Sequence, residues 1–247
     1  MTTDREWGDR ASDIARIEAA LDAAAAVLED FTPGRIDATF KSGDDPLTEA
    51  DLAVDHALRE HLPLAGEGWL SEETGESHDR LERSRVWVVD PIDGTREFVE
   101  GIPEWCVSIG LLDDGVPVAG GILNPATGER FIGALGFGVD VTGTGKIDAA
   151  GGERLAVAAS NSEIKRDEWQ RFEELVDVIA CGSVAYKLGL VAAGRVDATW
   201  TLVPKHEWDV VGGAALVLAA GGWVALKDGT EPTWNQPRPW LPGFIAT

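Results

Sequence analysis

From residue 14 to 28 the run IARIEAALDAAAAVL repeats apolar residues at helical spacing in an alanine-rich setting and closes near Thr-Pro-Gly, which predicts a first helix. The loop KSGDDPLTEAD, with its glycine, proline and aspartates, interrupts the pattern before LAVDHALREHL resumes it. Acidic residues cluster at the start of this second run, where the helix dipole favours them, so a second helix is predicted over about residues 48–62. GWLSEET reads as a short strand entering an acidic turn, and VWVVD as a buried strand rich in β-branched residues. In CVSIGLLDDGVPVAGGILNPATGERFIGALG short apolar runs alternate with Asp-Gly, Asn-Pro and Thr-Gly turns, the pattern of an antiparallel meander. The glycine-rich TGTGKIDAAGGE predicts a surface connection. Beyond it RLAVAAS and DVIAC read as strands, and SVAYKLGLVAAG and EWDVVGGAALVLAAGG as helices closed by glycine caps. These elements predict an N-terminal α+β half over residues 1–138 and a C-terminal α/β half over residues 139–247, with the functional site between them.

A length of 247 residues suits one large domain or two closely packed halves. No run approaches the ~20 apolar residues of a membrane span. The opening MTTDREWGDRASD has neither a basic start nor an apolar stretch, which predicts no secretory signal and a cytoplasmic location. Cys106 and Cys181 belong to no CxxC or Cys/His array, so core thiols are expected rather than a disulfide framework or a zinc site. A net charge of −22 disfavours nucleic-acid polymers and anionic membranes as partners, and an anionic substrate would need a local cation. Such acidity fits either a salty cytosol or a margin of solubility.

The chemistry concentrates in VWVVDPIDGTREF, residues 86–98. Asp90 ends an apolar strand, Pro91 removes an amide that could continue the ladder, and the chain turns so that Asp93 comes back toward Asp90. Two carboxylates facing one point repel unless a divalent cation sits between them. Oxygen ligands select a hard ion, and magnesium is the expected occupant. Gly94 and Thr95 follow at an expected helix N-terminus, where free amides and the dipole attract an anion. Taken alone, the run also fits an Asx turn with an N-cap. Three further acidic elements weigh against that: Glu72 and Glu73 in SEET, Asp51 beside Thr48 in LTEAD, and Asp209 at the start of EWDVVGG. Singly these read as a solvated turn, a first-turn residue and a helix-start carboxylate; together they point to a metal site.

With these residues in this order, the sequence resembles the inositol monophosphatase superfamily of lithium-sensitive, magnesium-dependent phosphomonoesterases. That family carries an upstream acidic residue, Glu-Glu, Asp-Pro-(Ile/Leu)-Asp-Gly-Thr, and Trp-Asp followed by a small pair. Here these stand as Asp51, Glu72-Glu73, Asp90 to Thr95, and Trp208-Asp209 with Gly212-Gly213. The resemblance implies a layered αβαβα sandwich of mixed α+β and α/β character, and a homodimer. It implies that Glu73, Asp90 and the carbonyl of Ile92 bind one Mg2+ and that Asp90, Asp93 and Asp209 bind a second. A third, weaker ion would lean on Glu73 through waters, and Li+ would inhibit. Thr95, paired with Asp51, would orient and help deprotonate the attacking water, so the implied catalytic residues are Asp51, Glu73 and Thr95. The amides of Gly94 and Thr95 would meet the phosphoryl oxygens.

The substrate, a small phosphate ester, is less sharply written. DGTREF resembles the continuation seen in 3′(2′),5′-bisphosphate nucleotidases and adds Arg96 near the phosphate, whereas EGIPEWCVSIGLL looks equally like the inositol phosphatase version. Inositol phosphatases commonly carry a glutamate where this chain has Leu202, which cannot bond a sugar-like hydroxyl. PKHEWD is similar to the nucleotidase segment, and Lys205 and His206 could offer charge to a second phosphate. Gly182 and Ser183 are placed to line the substrate pocket, with Lys187 where the nucleotidases carry a lysine. Ordinary solvated lysines are an equal reading of Lys187 and Lys205, and Asn161 stands where an arginine is common. A bisphosphate nucleotidase acting on adenosine 3′,5′-bisphosphate is the preferred expectation, with inositol 1-phosphate and histidinol phosphate as alternatives. A haloacid-dehalogenase phosphatase is excluded because its nucleophilic aspartate would fall on Pro91. A non-catalytic metal-binding module would need neither Thr95 nor Asp51. His56, His61 and His78 have no functional case, and Trp87, Trp105, Trp200 and Trp223 fall in apolar runs where core packing is expected.

Overall fold

Arg85–Asp93 forms a strand buried from Val86 onward. Val86 and Val88 face one apolar layer and Trp87 and Val89 another, which is why the run is apolar throughout rather than alternating. The computed structural model describes residues 9–40, 46–77 and 79–247. The first eight residues, residues 41–45 of the expected loop, and His78 lie outside them.

Helix α1 (Arg10–Leu28) starts four residues before its apolar periodicity, because Asp9 caps it by accepting from the Ser12 amide at 3.2 Å. A two-residue ladder, β1 (Thr39–Phe40) with β2 (Pro46–Leu47), leads to helix α2 (Glu49–His61). Next come β3 (Gly68–Ser71), β4 (Gly75–Glu76), β5 (Arg85–Asp93), the short helix α3 (Thr95–Glu100), β6 (Cys106–Asp113), β7 (Val116–Asn124), β8 (Glu129–Ala134) and β9 (Gly138–Thr142). These strands form a seven-stranded sheet in the order β4-β3-β5-β6-β7-β8-β9, with only β3 and β5 parallel. β9 straddles the boundary expected at residue 138.

The chain continues through β10 (Leu155–Ala159), α4 (Asn161–Lys165), β11 (Val176–Ala180), α5 (Val184–Ala192), β12 (Ala198–Thr201), β13 (Lys205–His206), α6 (Glu207–Ala219), β14 (Val224–Leu226), β15 (Trp240–Leu241) and β16 (Phe244–Ala246). A five-stranded sheet runs β11-β10-β12-β16-β14, and β13 pairs with β15 in a separate ribbon. Ile17 and Leu21 of α1 and Val54 and Leu58 of α2 pack with Trp87, Val89 and Ile109 on one face of the larger sheet. Helices α5 and α6 fill the space between the two sheets, where Leu188 and Val210 meet Val88, Ala158 and Phe244. On the outer face of the smaller sheet, Val157 of β10 and Ala198 of β12 are covered by Trp169 and by Ile164 of α4. The layers are therefore α, β, α, β, α, as the resemblance implied. Cys106 and Cys181 are buried free thiols. Of the tryptophans expected in the core, Trp87 and Trp105 are buried, Trp200 stacks half-buried on Trp169 with ring centroids 4.7 Å apart, and Trp223 is 49% exposed. That last expectation fails because Trp223 follows the glycine pair ending α6 and lies outside the sandwich.

The distance between α6 and the larger sheet is set by missing side chains. A Cβ on Gly120 of β7 would stand 2.2 Å from the Gly212 carbonyl oxygen, and one on Gly212 would stand 2.6 Å from the Ser108 hydroxyl. Glycine at both positions lets helix backbone lie directly on strand backbone, bringing the start of α6 beside the end of β5.

Charged pins hold the opposite side. Glu67, just before β3, accepts from Arg85 Nε at 3.0 Å, Trp87 Nε1 at 2.8 Å and the Leu64 amide at 2.9 Å, and pairs with Arg16 of α1. Burial alone would raise its carboxyl, but Arg16, the Leu64 amide, Trp87 and Arg85 outweigh burial and hold it at about 2 instead of 4.5. Since the folded value lies below the unfolded one, this stabilisation is present above pH 4.5 and is lost as pH falls toward 2. Glu67→Gln is expected to cost about 2 kcal/mol at pH 7. In urea unfolding across a pH series, the gap between wild type and variant should close between pH 4.5 and 2.

Candidate active site

The regular pairing of β5 with β6 breaks after Asp90. Asp90 pairs with Ser108 and Asp93 with Cys106, so Pro91 and Ile92 bulge out of register. The Ile92 amide folds back to donate to Asp90 Oδ1 at 3.1 Å. Gly94 then adopts φ +96°, and a Cβ there would meet the Glu104 carbonyl and the Trp105 side chain at 3.1 Å, which is why glycine follows the second aspartate.

The parallel register of β3 with β5 ends on Ser71 opposite Val89, and the Glu72 amide continues it by donating to the Val89 carbonyl at 3.4 Å. One step further along that register puts Glu72 beside Asp90. From the other side, α6 presents Asp209, whose Oδ2 accepts from the His206 amide at 3.0 Å in a capping box. One carboxylate oxygen from each of Glu72, Asp90 and Asp209 lies within 4.8 Å of the other two. The sequence expectation placed Glu73 in this role, whereas the member of the pair in this group is Glu72. The Glu73 amide donates to the Ser71 hydroxyl at 3.2 Å.

A polar clamp fixes two of the three approaching segments. Buried Glu207 accepts from the amides of Asn235 and Gln236 at 2.8 and 3.0 Å. Buried Arg80 donates to Asn235 Oδ1 at 2.6 Å and to the Gln236 carbonyl at 2.9 Å, and pairs with Glu76 of β4. The hairpin carrying Glu72 is thereby tied to the helix carrying Asp209.

Asp93 lines the same cleft but faces α5, accepting from the Ser183 hydroxyl at 2.6 Å and from the Ala185 amide. Ser183 is held at φ +52°, a left-handed conformation that non-glycine residues seldom adopt and that marks a constrained position in the cleft wall. Asp51 is buried at the start of α2, where its Oδ2 accepts from the Thr48 amide and hydroxyl at 2.8 and 2.6 Å. Its Oδ1 meets the Thr95 hydroxyl at 3.1 Å, and that hydroxyl also lies 2.9 Å from the Ile92 carbonyl. The pairing of Thr95 with Asp51 is therefore present, across 44 residues of sequence.

The cleft measures about 290 Å3. Gly94, Arg96, Gly182, Ser183, Lys187 and Lys205 contribute to its wall, so the expected substrate-side residues come together there. Lys187 is only 4% exposed. The solvated reading of that lysine does not hold, because α5 is buried on all sides between the sheets. Burial lowers its ammonium below the ordinary lysine range. Burial also pushes the carboxyls of Asp90 and Asp209 well above theirs. Glu72 and Asp93 add repulsion at Asp90; Asp93 does so at Asp209, where Lys205 partly offsets it. Glu97 on α3, which no motif singled out, also lines the cleft with a carboxyl raised by burial and by Asp93. Asn161 reaches across to donate to Glu104 Oε2 at 2.8 Å, and Leu202 lies outside the cleft wall.

Comparison with known proteins follows the same lines. The family described as "Inositol monophosphatase family" matches residues 10–243. Inositol monophosphatase 3 of Solanum lycopersicum is 33% identical over 230 residues, covering 87% of this chain and 85% of that protein. The histidinol-phosphatase of Mycobacterium tuberculosis is 34% identical over 242 residues, covering 90% and 85%. The crystal structure of CysQ from Bacteroides thetaiotaomicron, a bacterial member of the inositol monophosphatase family, superposes with a TM-score of 0.80 at 26% identity, covering 95% of this chain and 96% of that one.

Crowded carboxylates destabilise the fold that holds them. Asp90→Asn is expected to raise the melting temperature of the chelator-treated protein by about 2–4 °C and to abolish the further rise that magnesium gives the wild type. Differential scanning fluorimetry with and without Mg2+ checks both.

Proposed function

The chain belongs to the inositol monophosphatase family, whose members hydrolyse phosphate monoesters, and from that premise we propose that its ester is the 3′-phosphate of adenosine 3′,5′-bisphosphate. The supporting observation is that Lys187 and Lys205 line one cleft with the carboxylates, in a chain of net charge −22. A substrate with a second phosphate gains from two cations that a neutral polyol does not need. The names of the tomato and mycobacterial relatives favour inositol 1-phosphate and histidinol phosphate as second readings.

The family is magnesium-dependent, and the donor set fits that ion. Three carboxylates converge, all oxygen donors, two of them raised by burial and mutual repulsion that a cation would relieve. Glu72, Asp90 and Asp209, with Asp93 and the Ile92 carbonyl, are the residues that would hold it. When bound, magnesium supplies Lewis-acid polarisation of phosphoryl oxygens and a lowered pKa for water. The chain's own groups do the rest. Thr95 Oγ1 accepts a proton from the attacking water while passing its own to Asp51 Oδ1, so the pair moves one proton away from the nucleophile. The water oxygen forms the new bond to phosphorus, the ester oxygen leaves with its electron pair, and solvent protonates it. The amides of Gly94 and Thr95 at the start of α3 face the phosphoryl oxygens. Binding of two to three ions, inhibition by Li+, and a homodimer complete the proposal and rest on the family resemblance.

Phosphate release from adenosine 3′,5′-bisphosphate, inositol 1-phosphate, fructose 1,6-bisphosphate and histidinol phosphate, each with and without Mg2+, tests this reading. The highest kcat/KM is expected for the adenosine ester, and a preference for inositol 1-phosphate would overturn the substrate assignment. Thr95→Ala should lower kcat by about 10²–10⁴ with KM changed little. A fall of less than threefold would remove Thr95 from the chemistry.

A further inference from the structure

The C-terminal run TWNQPRPW, which the catalytic site uses only for its clamp, builds a second cleft of about 320 Å3 beside the first. In the ribbon of β13 and β15, His206 stands directly opposite Trp240 and Lys205 opposite Leu241. Directly opposed residues of a ladder share a face, so the imidazole and the indole stand side by side. Trp208 stacks on His206 with ring centroids 4.3 Å apart and planes within 6°. Arg238 lies over the Trp240 ring, 5.0 Å from its centroid. Pro204 and Pro239 complete the wall. Lys205, His206 and Trp208 line this cleft and the carboxylate cleft alike, so the two are continuous through them, with Asp209 next in sequence.

We infer that the second cleft seats the heteroaromatic ring of the leaving group, with Arg238 and Lys205 meeting an anionic group carried on it. The inference rests on the phosphatase reading above and gives its substrate class as a nucleotide bearing a second phosphate. Aromatic faces and proline rings offer stacking surface to a planar base and few partners for the hydroxyls of a polyol, which lose hydrogen bonds to water on entering such a wall. The two cations argue against an imidazole carried beside a protonated amine, since like charges would face each other. Net repulsion from an acidic surface is offset only where cations gather, and here they flank the aromatic faces.

The test compares kcat/KM for adenosine 3′,5′-bisphosphate, adenosine 3′-monophosphate and inositol 1-phosphate in the wild type and in Trp240→Ala, Trp240→Phe and Arg238→Gln, all with Mg2+. Trp240→Ala is expected to lower the preference for the adenosine bisphosphate over inositol 1-phosphate about tenfold, with Trp240→Phe restoring most of it. Arg238→Gln, at an exposed side chain, is expected to lower the preference for the bisphosphate over the monophosphate about tenfold. If these esters are hydrolysed but both preferences stay within twofold of wild type, the ring site is wrong and the phosphatase reading survives. If none of them is hydrolysed by the wild type, the phosphatase reading fails and the ring site falls with it. Should Trp240→Ala not fold, the Arg238→Gln ratio alone decides.

Discussion

Everything in this molecule that bears on chemistry depends on forcing like charges together. Glu72, Asp90 and Asp209 come from a strand exit, a buried strand end and a helix start, and their oxygens meet within 4.8 Å. No chain would hold them there by side-chain preference, because burial and mutual repulsion push Asp90 and Asp209 well above the ordinary carboxylate range. The backbone imposes the meeting. The β3–β5 register carries Glu72 alongside Asp90, and the glycine contacts of α6 with β7 and β6 bring Asp209 down onto them.

The surrounding polar groups keep that arrangement from relaxing. Glu207 and Arg80 tie the start of α6 to the hairpin after β3 through Asn235 and Gln236. Asp93 caps α5, locking the end of β5 to the helix that carries Lys187. Buried Glu129 of β8 accepts from the Tyr186 hydroxyl and pairs with Arg195, joining the larger sheet to α5 and to the loop that follows it. Strain at Ser183 and repulsion among the carboxylates are thus tolerated because each is held by bonds to a different layer.

Much of this was legible in the sequence where local chemistry decides the outcome. Alanine-rich periodicity marked α1, the turn pairs marked the meander of β6 to β8, and the break at Pro91 marked where carboxylates turn inward. Asp51 and Thr95 could be paired by resemblance, and their contact is present. What could not be read depends on register and tertiary placement. Which glutamate of the Glu72-Glu73 pair joins Asp90 and Asp209 is decided in the turn after β3, where no periodicity can be read. The burial of Lys187 turns on α5 being enclosed by both sheets. The early start of α1 was hidden because Arg10 and Asp13 are buried through their own ion pair, which no apolar pattern reveals. The three-residue strands β14 and β16 are too short to show an alternation, so the closing edge of the smaller sheet left no signal.

The central claim is that Glu72, and not its neighbour, completes a cation site with Asp90 and Asp209. Magnesium titration calorimetry on Glu72→Gln and Glu73→Gln proteins, each shown folded by circular dichroism, tests it most directly. Affinity should fall at least tenfold in the first and stay within twofold of wild type in the second. Unchanged binding in Glu72→Gln, or loss confined to Glu73→Gln, would contradict it.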